Sequence, residues 1–585
     1  MNTAPPAQNG FLVALSSAVG GVRGWPDADE AGSGSAVWFQ GYLADSAGLC
    51  TVLGLDSRAS LGRIVATGWQ RWGVEVIERV VGEYAAVVVA GSDAVMVGDR
   101  MGLRPLYIAT VQQGIVVSTD LGLLARETGA WREVDEEYIA DVLATGLHLG
   151  SRTPYRAIRR LGMGQYATWQ AGRLTVAGGW RPRITPITGT AREHEELLRS
   201  AVTDAVAGSL PTACEDGAVV VELSGGLDTS TVLGVATRRV TVHAVSFVHP
   251  GSPGSDESDW IRAALKATPT PWHPIDATEH GIFSAGPDFG IFLPAPSRRI
   301  LNWASSGAEE DAVSRLGGSI MLTGEGGDAV FLAGAYPWYL ADLLRTGRWA
   351  PLRRELQKWS TDSDVKRSAG FWWRRAALGG LRRWRSQQTL TLQPTSRLEV
   401  MAPWLNRAYI RDRHLRARVD STTPLRASSV HAQAVLENIV RCAEFARSRQ
   451  LLVSGSAEAR HPLLAPGLVD LALNTPWQVA ADPRIDRAVQ RYAFAGLVSD
   501  TVLRRRSKTI ADEAVLTGFA RHPRWQTYLC DDPQLVQRGY VDSSAWTAAI
   551  HGIGLTGAVA PLYGAIQVEV WLRHLRHAGR PALLM

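Results

Sequence analysis

Residues 219–233, VVVELSGGLDTSTVL, place two glycines, several hydroxyls and a carboxylate between two apolar runs. Glycines at the start of a helix let an anion approach the backbone N–H groups, and the helix dipole attracts it. The hydroxyls of Ser224, Thr229 and Ser230 would add hydrogen-bond donors. Asp228 would repel a polyphosphate unless a divalent cation lay between them. The segment therefore indicates a magnesium pyrophosphate site, and the alternative is a strand-to-helix turn that Asp228 merely caps.

Strand and helix patterns alternate around this segment. The runs AVVVEL, TVHAVSFV and SIMLT are typical of buried strands, whereas TSTVLGVATRR and ESDWIRAALKA are typical of helices. Such alternation predicts a parallel sheet with helices on both faces, and the pattern after residue 335 is mainly helical. Ligands bind at the carboxyl ends of strands in such sheets. SGGLDTS follows one strand end, and GEGGDAVF follows another.

The first 180 residues have a different pattern. Short β-rich runs such as AVWFQGYL, EYAAVVVAG and QYATWQAG are broken by turn residues, and one helix fits EVDEEYIADVLATG. We therefore predict a β-rich domain over residues 1–180, a linker over 181–190 and a second domain over 191–585. The second domain begins with an amphipathic helix in AREHEELLRSAVTDAVAGSL. The residues expected on its apolar face are Leu197, Leu198, Ala201, Val202 and Ala205.

Composition narrows the classes of protein to which the chain can belong. Its 585 residues, 46% hydrophobic and 20% charged, suit a globular protein of two or three domains. The net charge of +5 is too small to indicate a nucleic-acid partner. Cys50, Cys214, Cys442 and Cys530 lie far apart without histidines at metal spacing, which argues against disulfides and zinc. Because there is no signal segment and no apolar run of about 18 residues, we expect a soluble cytoplasmic protein without a transmembrane segment.

Several motifs, in order, resemble those of the asparagine synthetase superfamily. SGGLDTS resembles its pyrophosphate loop SGGxDSS, with Thr229 keeping the hydroxyl of a serine. The resemblance continues through HAVSFVHPGSPGSDESDW, LTGEGGDAVF, GSAEARHPLLAPGLVDLAL and RRRSKTI, while GDRMGLRPLYIA resembles the family's amidotransferase-like domain. It implies an Ntn-type β-rich α+β domain, then an adenine-nucleotide α-hydrolase-like parallel-sheet synthetase domain with a helical C-terminal part. Arg460 is interpreted as structural, because Ala465 stands where the family usually has an aspartate.

The resemblance also implies a chemistry: the second domain would adenylate a carboxylate with ATP, release pyrophosphate, and let an amine attack the acyl-AMP. ATP and Mg²⁺ would be the cofactors, with Asp228 and Asp328 as metal ligands. Glu325 matches a catalytic glutamate, and Lys508 matches a lysine that stabilises charge on the reacting phosphate. The residues implied to bind ATP or pyrophosphate are Ser224, Gly225, Gly226, Asp228, Thr229, Ser230, Phe247, Thr323 and Gly324.

Two of these residues have plain alternatives. Asp328 follows two glycines, where a turn residue is common. Lys508 lies in the basic run RRRSK, which is typical of a solvated surface. The position of Asp328 past a second strand end, and that of Lys508 after the other motifs, favour the functional interpretation of both.

The resemblance is incomplete at the N-terminus. Family members with a working amidotransferase domain have cysteine after the initiator methionine, whereas this sequence has Asn2, so we expect the first domain not to hydrolyse glutamine but to serve as a scaffold. Two branches of the superfamily share that loss, the β-lactam synthetases and the lasso peptide cyclases. The β-lactam branch usually has tyrosine where Glu325 stands, and PLYGAIQVEVWLRHL resembles the last helix of lasso cyclases.

The resemblance therefore favours a lasso peptide macrolactam synthetase. Such an enzyme joins the N-terminal amine of a leaderless core peptide to an Asp or Glu side chain, and its implied partners are a leader peptidase and a precursor-recognition protein. The alternatives are a β-lactam or ammonia-dependent synthetase, or a non-catalytic scaffold. Retention of Ser224, Asp228, Glu325, Asp328 and Lys508 argues against the scaffold.

Residues 348–388 are rich in arginine and tryptophan. Three interpretations stay open: a helical hairpin with core tryptophans, a docking surface for the substrate peptide or the leader peptidase, and a contact with anionic membrane. Its tryptophans are Trp349, Trp359, Trp372, Trp373 and Trp384.

Overall fold

The chain folds into a two-sheet first region, a parallel five-stranded sheet and a mainly helical last part. This arrangement confirms the predicted mixed α/β fold class. No helix in the part of the chain described combines the length and the apolar composition needed to cross a bilayer. The computed structural model describes residues 10–16, 22–26, 28–32, 34–211, 218–287, 289, 292–333, 337–363, 366–391, 398, 402–421, 423, 425–450, 457–506, 512–553 and 559–578.

Two antiparallel sheets pack face to face in the first region. The strands are β1 (Leu12–Ser16), β2 (Val22–Trp25), β3 (Asp29–Gly32), β4 (Ser35–Leu43), β5 (Gly82–Ala90), β6 (Asp93–Gly98), β7 (Tyr107–Val111), β8 (Gly114–Ser118), β9 (Ile158–Arg160), β10 (Gln165–Gln170) and β11 (Arg173–Gly178). Their orders are β2-β1-β8-β7-β9 and β11-β10-β6-β5-β4-β3. Val13, Val87 and Ile108 contribute to the apolar cluster between the sheets. Because successive side chains alternate between faces, each sheet has a second face that can bury helices.

Helices cover those outer faces. They are α1 (Ser46–Leu53), α2 (Leu61–Trp72), α3 (Val76–Arg79), α4 (Leu121–Thr128) and α5 (Glu136–Thr145), with 3₁₀ turns at Gly73–Glu75 and Ala130–Arg132. Ile64 of α2 packs with Tyr84 of β5, whereas Leu124 of α4 packs with Ala109 of β7. The sequence predicts only α5, which begins where the Asp135 side chain accepts the Glu137 N–H. The result is a helix–sheet–sheet–helix sandwich.

All strand pairs of the central sheet are parallel, as predicted. Its order is β14-β13-β12-β15-β16. The strands are β12 (Ala218–Glu222), β13 (Val242–Val248), β14 (Trp272–Asp276), β15 (Gly318–Leu322) and β16 (Glu458–Arg460). Val219 and Val221 of β12 enter one apolar cluster and Val220 enters the other, so the sheet is buried on both faces.

The remaining helices surround this sheet and form the last part of the chain. They are α6 (Ala191–Gly208), α7 (Leu227–Ala236), α8 (Ser258–Ala267), α9 (Trp303–Arg315), α10 (Gly327–Val330), α11 (Tyr339–Arg345), α12 (Trp349–Asp362), α13 (Ala369–Trp372), α14 (Gly379–Arg385), α15 (Arg407–Asp412), α16 (Leu415–Asp420), α17 (Val430–Gln450), α18 (Pro466–Asn474), α19 (Trp477–Ala480), α20 (Ala488–Ala493), α21 (Asp500–Arg504), α22 (Asp512–Arg521), α23 (Arg524–Cys530), α24 (Gln534–Gln537), α25 (Ser543–His551) and α26 (Val559–Ala578). The other helical segments are the 3₁₀ turns Arg298–Ile300 and Pro462–Leu464 and the π-helical segment Trp373–Leu378.

Helix α6 differs from its predicted face. Residues 181–190 form neither helix nor strand, and α6 begins with a capping box between Thr190 and Glu193. Its buried residues are His194, Leu198, Val202 and Val206. The prediction for Leu197 is wrong, because that side chain is 45% exposed. The buried stripe follows every fourth residue, and Leu197 lies just outside it.

The arginine- and tryptophan-rich stretch is helical and contributes to a core. Trp359 and Trp372 are buried with Tyr339 and Leu352, as the hairpin interpretation expects. Trp349 is 62% exposed, however, so the stretch also leaves an aromatic surface open. The stretch is therefore part core and part surface.

The first region and the sheet domain share their cores. Met101 and Leu103 join the cluster beneath β12, and Ile139 of α5 packs in one cluster with Val568 and Trp571 of α26. Ion pairs cross the same boundary. They are Arg104–Glu458 at 2.5 Å, Arg160–Glu444 at 2.8 Å and Arg100–Asp470 at 2.9 Å.

Candidate active site

The loop between β12 and α7 turns sharply at Gly225. Gly225 has a φ of +71°, which favours glycine, and a Cβ there would lie 2.8 Å from both the Ile261 nitrogen and the Trp260 Cβ. The Ser224 N–H donates to Thr229 Oγ1 at 3.2 Å, and the Gly226 N–H lies 3.4 Å from Ser224 Oγ. The loop is therefore shaped by its own hydroxyls before any ligand binds.

One hydroxyl of the loop is left for a ligand. Ser230 Oγ is buried yet has no hydrogen-bond partner among the described residues. An unsatisfied buried hydroxyl costs free energy, which a phosphate oxygen accepting from it would recover. Ser224 is exposed at the loop surface, whereas Thr229 is 8% exposed. The arrangement suits an oxyanion at the start of α7.

The loop after β15 lies directly against the first loop, because β12 and β15 are neighbours in the sheet. A Cβ on Gly324 would come within 2.7 Å of Thr229 Cγ2, and a Cβ on Gly327 within 2.2 Å of Asp228 Cγ. Only glycine permits this approach at either position. The predicted residues of both loops thus converge on one edge of the sheet.

Asp228 and Asp328 are joined by Arg487. Nη1 of Arg487 donates to both carboxylate oxygens of Asp228, at 2.7 and 2.8 Å, and Nη2 donates to Oδ1 of Asp328. Gln490 adds a hydrogen bond to Asp228 at 3.1 Å. Burial raises the pKa of Asp228, the Arg487 guanidinium opposes that rise, and the charge of Asp328 adds to it.

Neither Arg487 nor Gln490 is predicted as a site residue from the sequence. Arg487 immediately precedes α20 and Gln490 lies within it, in the segment RIDRAVQRY, where alternating charges are typical of a solvated helix face. Only the tertiary fold brings them to Asp228, which precedes Arg487 by 259 residues. Arg487 also has a left-handed backbone, with φ of +57°, which is uncommon for a residue with a Cβ.

Glu325 lies beside a second group of charges. Burial raises its pKa, Arg449 lowers it, and Glu222 raises it further. Arg449 donates to Glu222 at 2.7 Å and to the buried Glu309 at 3.2 Å. A carboxyl with a raised pKa beside the strand ends suits a proton-accepting role.

Thr323 and Phe247 have structural partners. Thr323 is fully buried, and its hydroxyl lies 2.7 Å from His461 Nδ1 and 3.3 Å from the Glu325 nitrogen, which donates to it. Phe247 is half-buried on β13 and packs with Val245 and Ile275. Thr323 therefore stabilises the loop after β15, whereas Phe247 lies on β13, two strands away from β15.

Of three further residues discussed from the sequence, the structure describes only Arg460. Lys508 and Asn2 lie outside the described residues. Arg460 has the structural role expected of it: Nε donates to Glu458 at 2.7 Å, and its guanidinium lies 4.1 Å from the centre of the Tyr42 ring.

The carboxylates fit magnesium by their chemistry. Within the described ranges, no group of three or more His, Cys, Asp or Glu side chains is placed to hold a metal ion. Mg²⁺ bound with a nucleotide needs only one or two carboxylates, because phosphates and waters supply the other ligands. Asp228 and Asp328 can provide that pair if the Arg487 guanidinium between them moves.

Comparisons with known proteins agree with this organisation. A family model described as asparagine synthase matches residues 197–573, and one described as a glutamine amidotransferase domain matches residues 58–180. The second match, on the two-sheet sandwich, confirms the predicted amidotransferase type of the first region.

Individual relatives are distant. Glutamine-hydrolyzing asparagine synthetase 3 of Bacillus subtilis is 20% identical over 431 residues, 70% of this chain and 63% of that protein. A putative glutamine-hydrolyzing asparagine synthetase of Mycobacterium tuberculosis is 26% identical over 188 residues, 30% of this chain and 28% of that protein. The chain thus spans less than two thirds of the length of either relative. Among solved structures, glutamine phosphoribosylpyrophosphate amidotransferase of B. subtilis gives a TM-score of 0.22 at 11% identity, over 55% of this chain and 76% of that one.

Proposed function

The chain belongs to the asparagine synthase family, and we propose on this basis that it is an ATP-dependent, AMP-forming carbon–nitrogen ligase. It would activate a carboxylate as an acyl-adenylate, release pyrophosphate, and form an amide with an amine. The observation that carries the proposal is the convergence of two strand-end loops, with Asp228 against Gly327 and Thr229 against Gly324. That convergence supports the proposal because it brings the start of α7, which would bind an anion, close to the carboxylates of Asp228 and Asp328.

Each residue has a separate role in this proposal. The N–H groups at the start of α7 and the Ser230 hydroxyl would bind pyrophosphate oxygens. Asp228 and Asp328 would hold Mg²⁺, which when bound neutralises phosphate charge. Glu325 would accept the proton of the attacking amine, and Lys508 would stabilise charge on the reacting phosphate. A water-poor site would protect the acyl-AMP from hydrolysis.

The finer proposal is that the product is a lasso peptide macrolactam. The enzyme would join the N-terminal amine of a leaderless core peptide to an Asp or Glu side chain. Glu325 supports this choice over a β-lactam synthetase, which usually has tyrosine there, and the sequence of α26 resembles the last helix of lasso cyclases. An α-amine has a pKa of about 7.7–8.0, so a useful fraction is neutral at pH 7 and only weak base assistance is required.

The physical difficulty in such a reaction is orientation. The peptide must be held threaded, with its amine beside the acyl-adenylate, before the ring closes. Holding reactants in this way is worth roughly 7–11 kcal/mol of the barrier. A leader peptidase and a precursor-recognition protein would be the partners that deliver the peptide.

The second candidate function is ammonia-dependent asparagine synthesis. The names of the relatives at 20% and 26% identity favour it, because both are glutamine-hydrolyzing asparagine synthetases. The two candidates share the adenylation step and differ in the size of the acceptor and the nucleophile.

Mass spectrometry separates the candidates. The protein is incubated with Mg-ATP and synthetic leaderless core peptides that carry an Asp or Glu acceptor, and in parallel with Mg-ATP, aspartate and ammonium. Loss of one water from the peptide, with release of AMP and pyrophosphate, is the expected result. Asparagine in the second tube would instead support the alternative. AMP in neither tube, with Asp228→Asn as the blank, would contradict both.

A further inference from the structure

We propose that the Arg487 guanidinium occupies the metal position between Asp228 and Asp328 in the nucleotide-free protein. It leaves this position only when Mg²⁺ binds together with ATP. The proposal rests on the proposed function only for the identity of the nucleotide. It makes Arg487 a positioning residue that prevents free divalent cations from binding.

The Arg487 guanidinium is buried and is fixed by hydrogen bonds to the carboxylates around it. Arg487 makes hydrogen bonds with both carboxylates, and its side chain is 9% exposed. Its Nε lies 3.5 Å from Asp486, so a third carboxylate also faces it. Gln490, one turn further along the chain, holds Asp228 from the side at 3.1 Å. The guanidinium therefore lies where the sequence predicts a metal ion.

The charges explain why a cation must be present there. Two carboxylates close enough to bind the same guanidinium repel each other unless a positive charge lies between them. The planar fork of arginine donates to the two carboxylates from two separate nitrogens, a geometry that the single nitrogen of an ammonium cannot reproduce. Arg487 thus holds the carboxylates of Asp228 and Asp328 on either side of one positive charge.

The same charges make the exchange selective. Mg²⁺ gives up its water reluctantly and takes few protein ligands. A free hydrated ion would have to displace a buried guanidinium and leave its N–H groups without acceptors, which costs free energy. When the nucleotide enters as well, its phosphate oxygens offer acceptors to the displaced N–H groups. We therefore expect Arg487 to give way to the pair of metal and nucleotide but not to the metal alone.

The backbone favours release. Arg487 has a φ of +57° and a ψ of 43°, a left-handed conformation that is unfavourable for a residue with a Cβ. It lies immediately before α20 (Ala488–Ala493), so a change in its backbone does not require unwinding the helix. Strain of this kind at a ligand site lowers the free energy needed for Arg487 to leave its position.

The test measures Mn²⁺ binding to the nucleotide-free protein by electron paramagnetic resonance. Wild type should bind Mn²⁺ at this site only weakly, and Arg487→Met should lower the Kd at least about tenfold. Asp228→Asn in the Arg487→Met background should remove the gain, which locates the ion. The control is Arg484→Met. Arg484 lies three residues before Arg487 and pairs with Asp482 on the surface, so this variant should bind Mn²⁺ as wild type does.

Two results would overturn the proposal. One is tight Mn²⁺ binding by wild type without nucleotide, and the other is an Arg487→Met variant that folds but binds no better than wild type. If Arg487→Met does not fold, Arg487→Lys replaces it, because an ammonium cannot donate to both carboxylates in the same geometry and should admit Mn²⁺ with a smaller gain. An unchanged Kd in a folded Arg487→Lys would likewise overturn the proposal.

These measurements use neither ATP nor peptide. The failure of the proposed function, seen as no AMP with any substrate, would therefore leave the Mn²⁺ result unaffected. Failure of the cation exchange would appear only in the Mn²⁺ titrations, while the ligase assays proceeded normally.

Discussion

The backbone N–H of His461 donates to the buried carboxylate of Glu83 at 2.5 Å, across the boundary between the first domain and the sheet domain. On its other side, His461 Nδ1 lies 2.7 Å from the Thr323 hydroxyl, which accepts the Glu325 N–H. A short chain of hydrogen bonds thus connects β5 of the first domain to the loop that carries Glu325. The first domain can influence the candidate active site through these contacts without any chemistry of its own.

Replacing Glu83 with Gln should change how stability depends on pH. Burial raises the pKa of Glu83 from 4.5 to about 7, so the folded protein holds a proton that the unfolded chain releases. Its contribution to stability is therefore complete below pH 4.5 and is lost as the pH rises through about 7. Glu83→Gln should remove that part of the decline, which thermal midpoints at pH 5, 6, 7 and 8 would measure.

The buried Glu309, whose pKa is also raised to about 7 by burial and by Glu222, keeps part of the pH dependence in the variant. The informative quantity is therefore the difference between wild type and Glu83→Gln. Glu75→Gln, on the surface beside Arg79, should show no such difference. Parallel curves for wild type and Glu83→Gln would contradict the prediction.

Asp228→Asn should abolish adenylation. The amide keeps the size of the side chain but loses the charge that would hold Mg²⁺, so ATP–pyrophosphate exchange should fall by about 100-fold or more. Asp259→Asn is the matched control, because Asp259 lies in the first turn of the neighbouring helix α8 with its side chain 97% exposed. Exchange at the wild-type rate in Asp228→Asn would rule out the metal role.

Gly225→Ala should destabilise the protein and weaken ATP binding. The left-handed backbone costs an alanine about 1–2 kcal/mol, and the added Cβ would press on the Ile261 nitrogen at 2.8 Å. Gly467→Ala, in the first turn of α18 with no atom within 4 Å of the new Cβ, is the control and should keep or slightly raise the thermal midpoint, because alanine favours a helix more than glycine does. Equal thermal midpoints for both variants would show that the turn tolerates a side chain.

Glu325→Gln should separate the two chemical steps. An amide cannot accept the proton of the attacking amine, so amide formation should fall by about 100- to 10,000-fold while ATP–pyrophosphate exchange continues. Exchange and product are measured on the same samples, which makes the adenylation step its own control. An equal fall in exchange and in amide formation would contradict the proton-transfer role and indicate that Glu325 acts in ATP binding.

Trp372→Ala should lower the stability of the protein, whereas Trp349→Ala should change only its affinity for the substrate peptide. Trp372 is 2% exposed, so truncating it should cost about 3–5 kcal/mol of stability, and a peptide-binding test through Trp372 would be confounded by unfolding. Trp349 is 62% exposed, and its ring centre lies 6.4 Å from that of Trp373. If this surface contacts the substrate peptide, Trp349→Ala should raise KM several-fold at an unchanged thermal midpoint; unchanged KM would exclude it.

Local patterns predict the main elements and the first loop of the site. The apolar run AVVVEL followed by SGGLDTS specifies β12, its turn and α7, because burial and glycine placement are local properties. β14 and β16 escape prediction, since WHPID has no alternation and EAR is only three residues long. Their pairing partners, rather than their own residues, make them strands.

The rest of the site depends on contacts between distant segments. Arg487 reaches Asp228 only after the sheet and α20 have formed, and nothing in its neighbours distinguishes it from surface arginines such as Arg484. The same holds for Arg449, which α17 brings to Glu222. Charges that neutralise one another in a core cannot be recognised until the core is known.

The packing of α5 against α26 sets a condition on how the protein can be made. Ile139 and Leu143 of α5 share a core with Val568 and Trp571, and Gly146 lies against Gly564. At about 5–20 residues per second, a ribosome needs on the order of 20–90 s to proceed from residue 145 to residue 571. For that interval the face of α5 that packs against α26 lacks this partner, although α16 (Leu415–Asp420), which also contacts α5, emerges earlier. The packing of α5 is therefore completed only after α26 has emerged from the ribosome.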